Sequence, residues 1–381
     1  MADAFDTILG QPKVRDFLRA SLLADKVTSA YLFLGPSGSN KTSAAYALAK
    51  EIICPLEDRT IRGSGCGKCN KCSRIERKNY TDVKYYEPES SNGYLVEQIR
   101  NIIHDINLSP IESDKKIYII DRVDMMGVSS ANAFLKTLEE PPDNVVLILL
   151  GRTRESVLST IVSRCSVVAF RHIPPSEAHG IIIQNTGCDL ASARIALSSC
   201  GGSITRAIEF LRPGDNSLLY LRGQIVSRIL KASSANSWEI CKITKELLEI
   251  IKAPSDEYLR IREQEKSDES EFLSNNSIKE LEKKTKREAS KKTIQMLNMF
   301  IDIVLSVLKD IESILVKRNA ELVNCDSLEA IEQLALRTSF NQINVAMNAL
   351  NDSRGAIAYN VSSEILINTC LFDYRGAFND N

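Results

Sequence analysis

The stretch that most limits what this chain can fold into is Tyr31-Leu32-Phe33-Leu34, which runs straight into Gly35-Pro36-Ser37-Gly38-Ser39-Asn40-Lys41-Thr42. A short apolar run ending in glycines reads as a buried strand followed by a sharp turn, and Thr42 to Ile53, apolar or small at most positions, reads as the next helix. Two further runs of this kind are Ile117-Tyr118-Ile119-Ile120, ending at Asp121, and Val145 to Leu150. Between them Ser129 to Glu140 reads as a helix stopped by Pro141-Pro142. Continuous apolar runs separated by helices predict strands buried on both faces of a parallel sheet, an α/β fold.

The segment Gly35 to Thr42 nearly satisfies the phosphate-loop pattern G-x-x-x-x-G-K-[ST] and lies between strand and helix, as the mechanism requires. In such a loop the backbone N–H groups and the helix N-terminus cradle phosphates, while Lys41 reaches the β/γ-phosphates and Thr42 holds Mg²⁺. The departure is Asn40, where the pattern has Gly. Asn accepts positive φ better than most residues, so the loop shape is expected to survive, and ATP or ADP with Mg²⁺ stays an open question. Asp121 at the end of its strand is placed either to help hold Mg²⁺ or simply as a strand-end acid. The next residue is Arg122, which accepts no proton, and this argues against hydrolysis.

Composition narrows the class. The 381 residues carry 48 basic and 49 acidic side chains, a net charge of -1, which excludes a strongly basic nucleic-acid coat and leaves room for a local basic surface. The length suits two or three domains. No apolar run approaches the ~20 residues needed to span a bilayer. Met1 to Gln11 has two Asp and no basic n-region, so no signal peptide and a cytoplasmic location are expected. Four of the ten cysteines, Cys54, Cys66, Cys69 and Cys72, have the spacing C-x11-C-x2-C-x2-C. Four thiolates at this spacing can close a tetrahedral Zn²⁺ site of structural type, with Gly63, Gly65 and Gly67 allowing the chain to turn. An iron–sulfur cluster, which lacks its closing x3-C-P here, and free or redox cysteines are the alternatives.

Beyond Ile173-Pro174-Pro175 the strand signals thin out. Ser176 to Asn185 and Leu190 to Ser199 read as short helices, Gly214-Asp215 marks a boundary, and the remainder is helical in pattern, as in Ile294 to Val316. Between Ser255 and Lys292, ten acidic and ten basic residues fall among 38, acids first and bases second. This reads as a solvated helical pair or a flexible insertion, with a partner-binding arm as the alternative. His104, His172 and His179 sit in no triad spacing, Trp238 is expected in the core, and Arg206 is expected to face water or a neighbouring subunit.

Taken together, Phe5-Asp6-x-Ile8-x-Gly10-Gln11, Ala30 to Pro36, the four cysteines, Asn132 to Pro142 and Thr160-Ile161-x-Ser163-Arg164-Cys165 resemble the bacterial clamp-loader AAA+ proteins of DNA polymerase III. The motifs cover about residues 1–210; Asn360 and Glu364 carry a weaker match in the last helix. The resemblance implies an AAA+ P-loop domain over 1–168 with a zinc module at about 54–72. It further implies a helical lid over 169–213 and a helical collar over 214–381 with the charged insertion at about 255–292. Within the family, Asn40 and Arg122 are altered, Gly151 stands where the first sensor threonine aligns, and Thr205 where the second sensor arginine aligns. Ser163-Arg164-Cys165 is intact. That pattern resembles the delta-prime subunit, which implies an arginine finger, Arg164, acting in trans on a neighbouring motor subunit, with weak or absent hydrolysis of its own. The resemblance also implies gamma/tau and delta partners, with sliding clamp and primer-template DNA reached through the complex and no membrane. A gamma/tau-type ATPase motor and a stand-alone zinc-containing interaction module with a vestigial P-loop are the competing readings; Arg164 as a surface salt-bridge residue is the plainest alternative for that side chain.

Overall fold

The structure, a computed structural model, describes residues 4–24, 26–55, 57, 65–89, 93–212, 217–269, 275–316, 322–357 and 361–378, the side chains of 265–269, 275–281, 283, 284 and 287 excepted. Gly63, Gly214, Asp215 and Asn360 lie outside the described residues. The chain divides into two compact units, Met1–Gly187 with Cys200–Ile208, and Cys188–Ser199 with Glu209–Asn381.

The first unit is an α/β layer structure. Its elements run α1 (Pro12–Leu23), β1 (Ala30–Leu34), α2 (Lys41–Ile53), α3 (Asn70–Glu76), β2 (Val83–Tyr86), α4 (Val96–Ile106), β3 (Lys116–Ile120), α5 (Val128–Glu139), β4 (Val145–Gly151), α6 (Ser159–Val162), β5 (Ser166–Ala169) and α7 (Pro175–Thr186). The five strands form one sheet in the order β2-β3-β4-β1-β5, all neighbours parallel. The alternation of side chains along each strand sets two cores. Tyr31, Phe33, Ile117, Ile119, Val146 and Ile148 pack with α1 and α2 on one face. Leu32, Leu34, Tyr118, Ile120, Leu147 and Leu149 pack with α4, α5 and α6 on the other. Burial on both faces is why the three central strands read as unbroken apolar runs. The edge strands β2 and β5 are only partly buried, and their sequences, VKYY and SVVA, carry no such run.

The second unit is helical among the described residues: α8 (Leu190–Ser199), the C-terminal part of α9 (Ile204–Phe210), α10 (Leu218–Ala232), α11 (Ser237–Glu269), α12 (Asn275–Leu315), α13 (Leu328–Ala335), α14 (Phe340–Ala356) and α15 (Ser363–Gly376). Its core is one apolar cluster drawn from α10 to α15, including Ile229, Leu247, Phe300, Leu308, Leu350 and Tyr374. The charge-dense stretch from Ser255 forms the end of α11 and the start of α12, and Tyr258 of α11 takes Arg262 and Lys292 over its ring at 5.6 and 5.2 Å. Trp238 corrects an expectation. It sits at the start of α11 and is 81% exposed, because the face it occupies turns away from the apolar cluster.

Candidate functional site

Leu34 stands opposite Gly151, and Ile120 opposite Leu149, so Gly35, Asp121 and Arg152 leave the sheet together at the carboxyl ends of the strands. That edge is where open parallel sheets collect their ligands. Here the loop Gly35–Asn40 joins β1 to α2. Asn40 caps α2 with φ +65° and Gly38 has φ +79°, so the Asn holds the left-handed backbone that the pattern assigns to glycine. Lys41 folds into the loop, its Nζ donating to the carbonyls of Gly35 at 2.6 Å and Pro36 at 2.8 Å. Burial pulls its pKa down; Asp121 and Asp124 oppose that, and Arg152 adds to it.

The side chain of Asn40 is committed elsewhere. Its Nδ2 donates to the carbonyl of Leu9 at 2.8 Å, and its Oδ1 accepts from the Thr205 hydroxyl at 3.1 Å. Thr205 and Ser43 hydroxyls are also 3.1 Å apart. An added Cβ on Gly38 would lie 2.6 Å from the carbonyl oxygen of Gly202. The segment around Gly202 and Thr205 is therefore seated directly on the phosphate loop. Two positions that depart separately in sequence, Asn40 and Thr205, meet in one hydrogen bond.

Asp121 is held by its neighbour Arg122 and by two tyrosines, Tyr85 and Tyr94, that the sequence pattern does not single out. Tyr85 donates its hydroxyl to Asp121 Oδ2 at 2.5 Å, the Arg122 N–H donates to Oδ1 at 2.8 Å, and the Tyr94 hydroxyl donates to the Asp121 carbonyl at 2.5 Å. Burial, then the charge of Asp121, pushes the Tyr85 phenol up, so it stays a donor at neutral pH. Arg122 adopts φ +53° and turns its Nε toward Asp124 at 3.5 Å. The residues present suit phosphate and a hard cation: amides at a helix start, an ammonium and an acid. The side chain after Asp121 is a guanidinium, which accepts no proton.

The cysteine cluster assembles as the spacing predicts. The Sγ atoms of Cys54, Cys66, Cys69 and Cys72 all lie within 4.8 Å of one another, and Cys54 Sγ is 3.7 Å from Cys66 Sγ. A tetrahedron of sulfurs at ~2.3 Å from a central ion has edges of about 3.8 Å, so the four can hold a metal ion. Gly67, at φ +66°, turns the chain between the ligands. Backbone N–H groups of Lys68 and Cys69 donate to Cys66 Sγ at 3.4 and 3.2 Å, and that of Cys72 to Cys69 Sγ at 3.5 Å. Burial pushes the Cys66 thiol up, but these donors outweigh it and bring it to about 7, whereas burial raises Cys54 to about 11 and Cys72 further. Lys50, almost wholly buried on α2, pairs with Glu76, and Glu51 accepts from the Gly65 N–H. Charged residues in the last turn of an otherwise apolar helix were the sequence signal for this support. Four thiolates around a divalent ion would leave a net double negative charge; Lys50, besides pairing with Glu76, is near enough to Cys72 to feel that charge.

Arg164 follows the short helix α6 and is about a third exposed at its side chain. Its Nε donates to Glu139 Oε1 at 2.7 Å, its Nη2 also reaches Glu139, and its Nη1 donates to the Thr160 carbonyl at 2.9 Å and lies 3.3 Å from Ser163 Oγ. Leu138, Glu139, Ser163 and Arg164 line an open cleft of ≈ 440 Å³. Cys165 beside it is pushed up to about 12 by burial, so it packs as a thiol. Arg206 is exposed.

The chain is similar to known proteins along most of its length. Residues 10–174 match the family described as DNA polymerase III, delta subunit. The Bacillus subtilis DNA polymerase III subunit delta' is 25% identical over 363 residues, 94% of each chain. The tau subunit of the same organism is 33% identical over 215 residues, 54% of this chain; the matched part spans only 37% of tau. Among solved structures, a DNA polymerase III gamma subunit-related protein from Thermotoga maritima aligns over 95% of this chain and 99% of its own, with 18% identity and a TM-score of 0.46.

Proposed function

We propose that the chain is a clamp-loader AAA+ subunit of DNA polymerase III of the delta-prime type, completing a neighbour's ATP site rather than running its own, a reading supported by the family match over residues 10–174 and the likeness to a delta' subunit along 94% of the chain. The observation that carries this reading is a contrast within the first unit. Where the chain would use nucleotide, Asn40 and Thr205 bond to each other and Arg122 replaces a base. Where it would serve a neighbour, Arg164 lines an open cleft and is about a third exposed at its side chain. A guanidinium delivered in trans stabilises charge on the γ-phosphate oxygens during transfer, an effect of about 10³–10⁵ in rate in other systems. Arg suits the task because its planar fork matches phosphate and stays charged.

In this reading the partners are a gamma/tau motor subunit and delta, and the complex loads the sliding clamp onto primed DNA in the cytoplasm. Among the described residues no helix is long and apolar enough to cross a membrane. Zinc held by Cys54, Cys66, Cys69 and Cys72 would supply a closed structural cross-link between the end of α2 and the start of α3. The Gly35–Thr42 loop with Asp121 would hold ATP or ADP with Mg²⁺, if any nucleotide, without turning it over.

The test is steady-state ATP turnover of the complex reconstituted with motor subunit, delta, clamp and primed DNA, comparing wild type with Arg164→Ala. A fall of at least a hundredfold with assembly intact by gel filtration is the expected result. Unchanged turnover would remove the finger and leave a purely structural subunit. ATP hydrolysis by the isolated chain that depended on Lys41 would instead favour the motor reading.

A further inference from the structure

Resting on the reading of Arg164 as a finger, we propose that Glu139 is its positioning residue, holding the guanidinium in the orientation that a neighbour's phosphate meets. Glu139 is the last residue of α5, in the Leu138-Glu139-Glu140-Pro141-Pro142 run. Phe134 and Leu138 bury the preceding turns in the sheet core, and the prolines end the helix, so the carboxylate projects from a rigid element. Its place is electrostatically costly: an acid in the last turn faces the negative end of the helix dipole. The Arg164 guanidinium is the partner that offsets this.

The hydrogen-bond pattern shows what the pair achieves. A guanidinium has five N–H groups in one plane. Nε and Nη2 give their shared edge to Glu139, and Nη1 gives its inner side to the Thr160 carbonyl, with Ser163 Oγ alongside. Held on these two sides, the plane is fixed, and the donor left over is on Nη2, at the terminal edge of a guanidinium whose residue lines the cleft. This is the edge on which a phosphate oxygen docks end-on. The carboxylate does for the arginine what an orienting acid does for a catalytic base: it sets the direction without touching the reacting atoms. As an exposed ion pair it adds little to folding stability, so its effect belongs in turnover.

The experiment uses the reconstituted complex with Glu139→Ala, Glu139→Gln, Arg164→Ala and the double variant Glu139→Ala/Arg164→Ala. We expect Glu139→Ala to lower kcat about 10-fold or more with KM for ATP unchanged, since misplacing a reacting group by ~1 Å costs up to about 100-fold. Glu139→Gln, which keeps an acceptor oxygen, should recover most of that loss. The double variant should be no slower than Arg164→Ala, and thermal unfolding of the free chain should be the same for all. A Glu139→Ala complex as fast as or faster than wild type overturns the proposal, the faster outcome marking Glu139 as a competitor of phosphate. A further loss in the Arg164→Ala background also overturns it, because Glu139 would then act independently. If Arg164→Ala alone leaves turnover intact, the finger reading has failed and this inference fails with it.

Discussion

At the scale of the residue, Asn40 shows how a side chain that breaks a motif can be absorbed by the fold. Its backbone keeps the left-handed conformation, and its amide is used against Leu9 and Thr205. Asn40→Ala should cost about 2–3 kcal/mol, from two hydrogen bonds at about 1 kcal/mol each plus about 1 kcal/mol for a Cβ-bearing residue without Asn's local compensation at positive φ. Asn40→Gly loses the same bonds without the φ penalty and should be about 1 kcal/mol milder. Urea midpoints of the two variants measure the difference; equal losses would refute the backbone part of the account. Arg122 carries a second expectation at this scale. The isolated chain should hydrolyse ATP no faster than its Lys41→Ala variant, which a coupled phosphate-release assay can read.

At the scale of the element, α3 has seven residues, too few to hold a helix in water by itself. Cys69 caps it and Cys72 buries its first turn, so a metal ion held by these thiolates would couple ligation to helix formation. Chelation should therefore lower the thermal midpoint of the first unit, with amide exchange accelerating first over 65–76. The pH dependence has a definite sign. Without metal, burial keeps Cys54, near 11, and Cys72 protonated through neutral pH, while Cys66, near 7, is about half ionised there. Zinc takes thiolates, so binding at pH 7 releases protons, and apparent affinity rises as pH increases from about 7 toward 11. Calorimetric titration in two buffers of different ionisation enthalpy counts the protons; a release of none would exclude thiolate ligation by Cys54 and Cys72.

At the scale of the whole molecule, the two units hold themselves together by different means. The first closes a sheet between two helical layers and adds the cysteine cluster. The second relies on one apolar cluster and a buried polar knot. In it Arg222, 1% exposed, donates to Asp326 at 2.9 Å and to Asn324, while Asn324 donates to Asp310 Oδ2 at 2.8 Å. Asp326 is 41% exposed and can turn to water, and Asn324 keeps its bonds to Asp310, so Arg222→Ala should cost about 1.5–3 kcal/mol for the lost charged hydrogen bond to Asn324. Because Arg222 and the cysteines lie in different units, chelation and Arg222→Ala should add in differential scanning calorimetry. A strong departure from additivity would show that the units are energetically coupled.

The amino-acid sequence by itself determined the three central strands, the phosphate loop with its left-handed Asn40, the four-cysteine cluster and the helical remainder. Each of these depends on burial periodicity or on spacing within a few residues, and such forces act along the chain. The edge strands escaped because partial burial imposes no apolar run. Only the tertiary structure decided that Asn40 meets Thr205 across 165 residues, that Tyr85 and Tyr94 hold Asp121, that Glu139 grips Arg164 across 25, and that Trp238 faces outward. These pairings need strand order and helix placement before any two groups can meet. A polar side chain carries no mark of its distant partner until the backbone brings that partner within hydrogen-bonding reach.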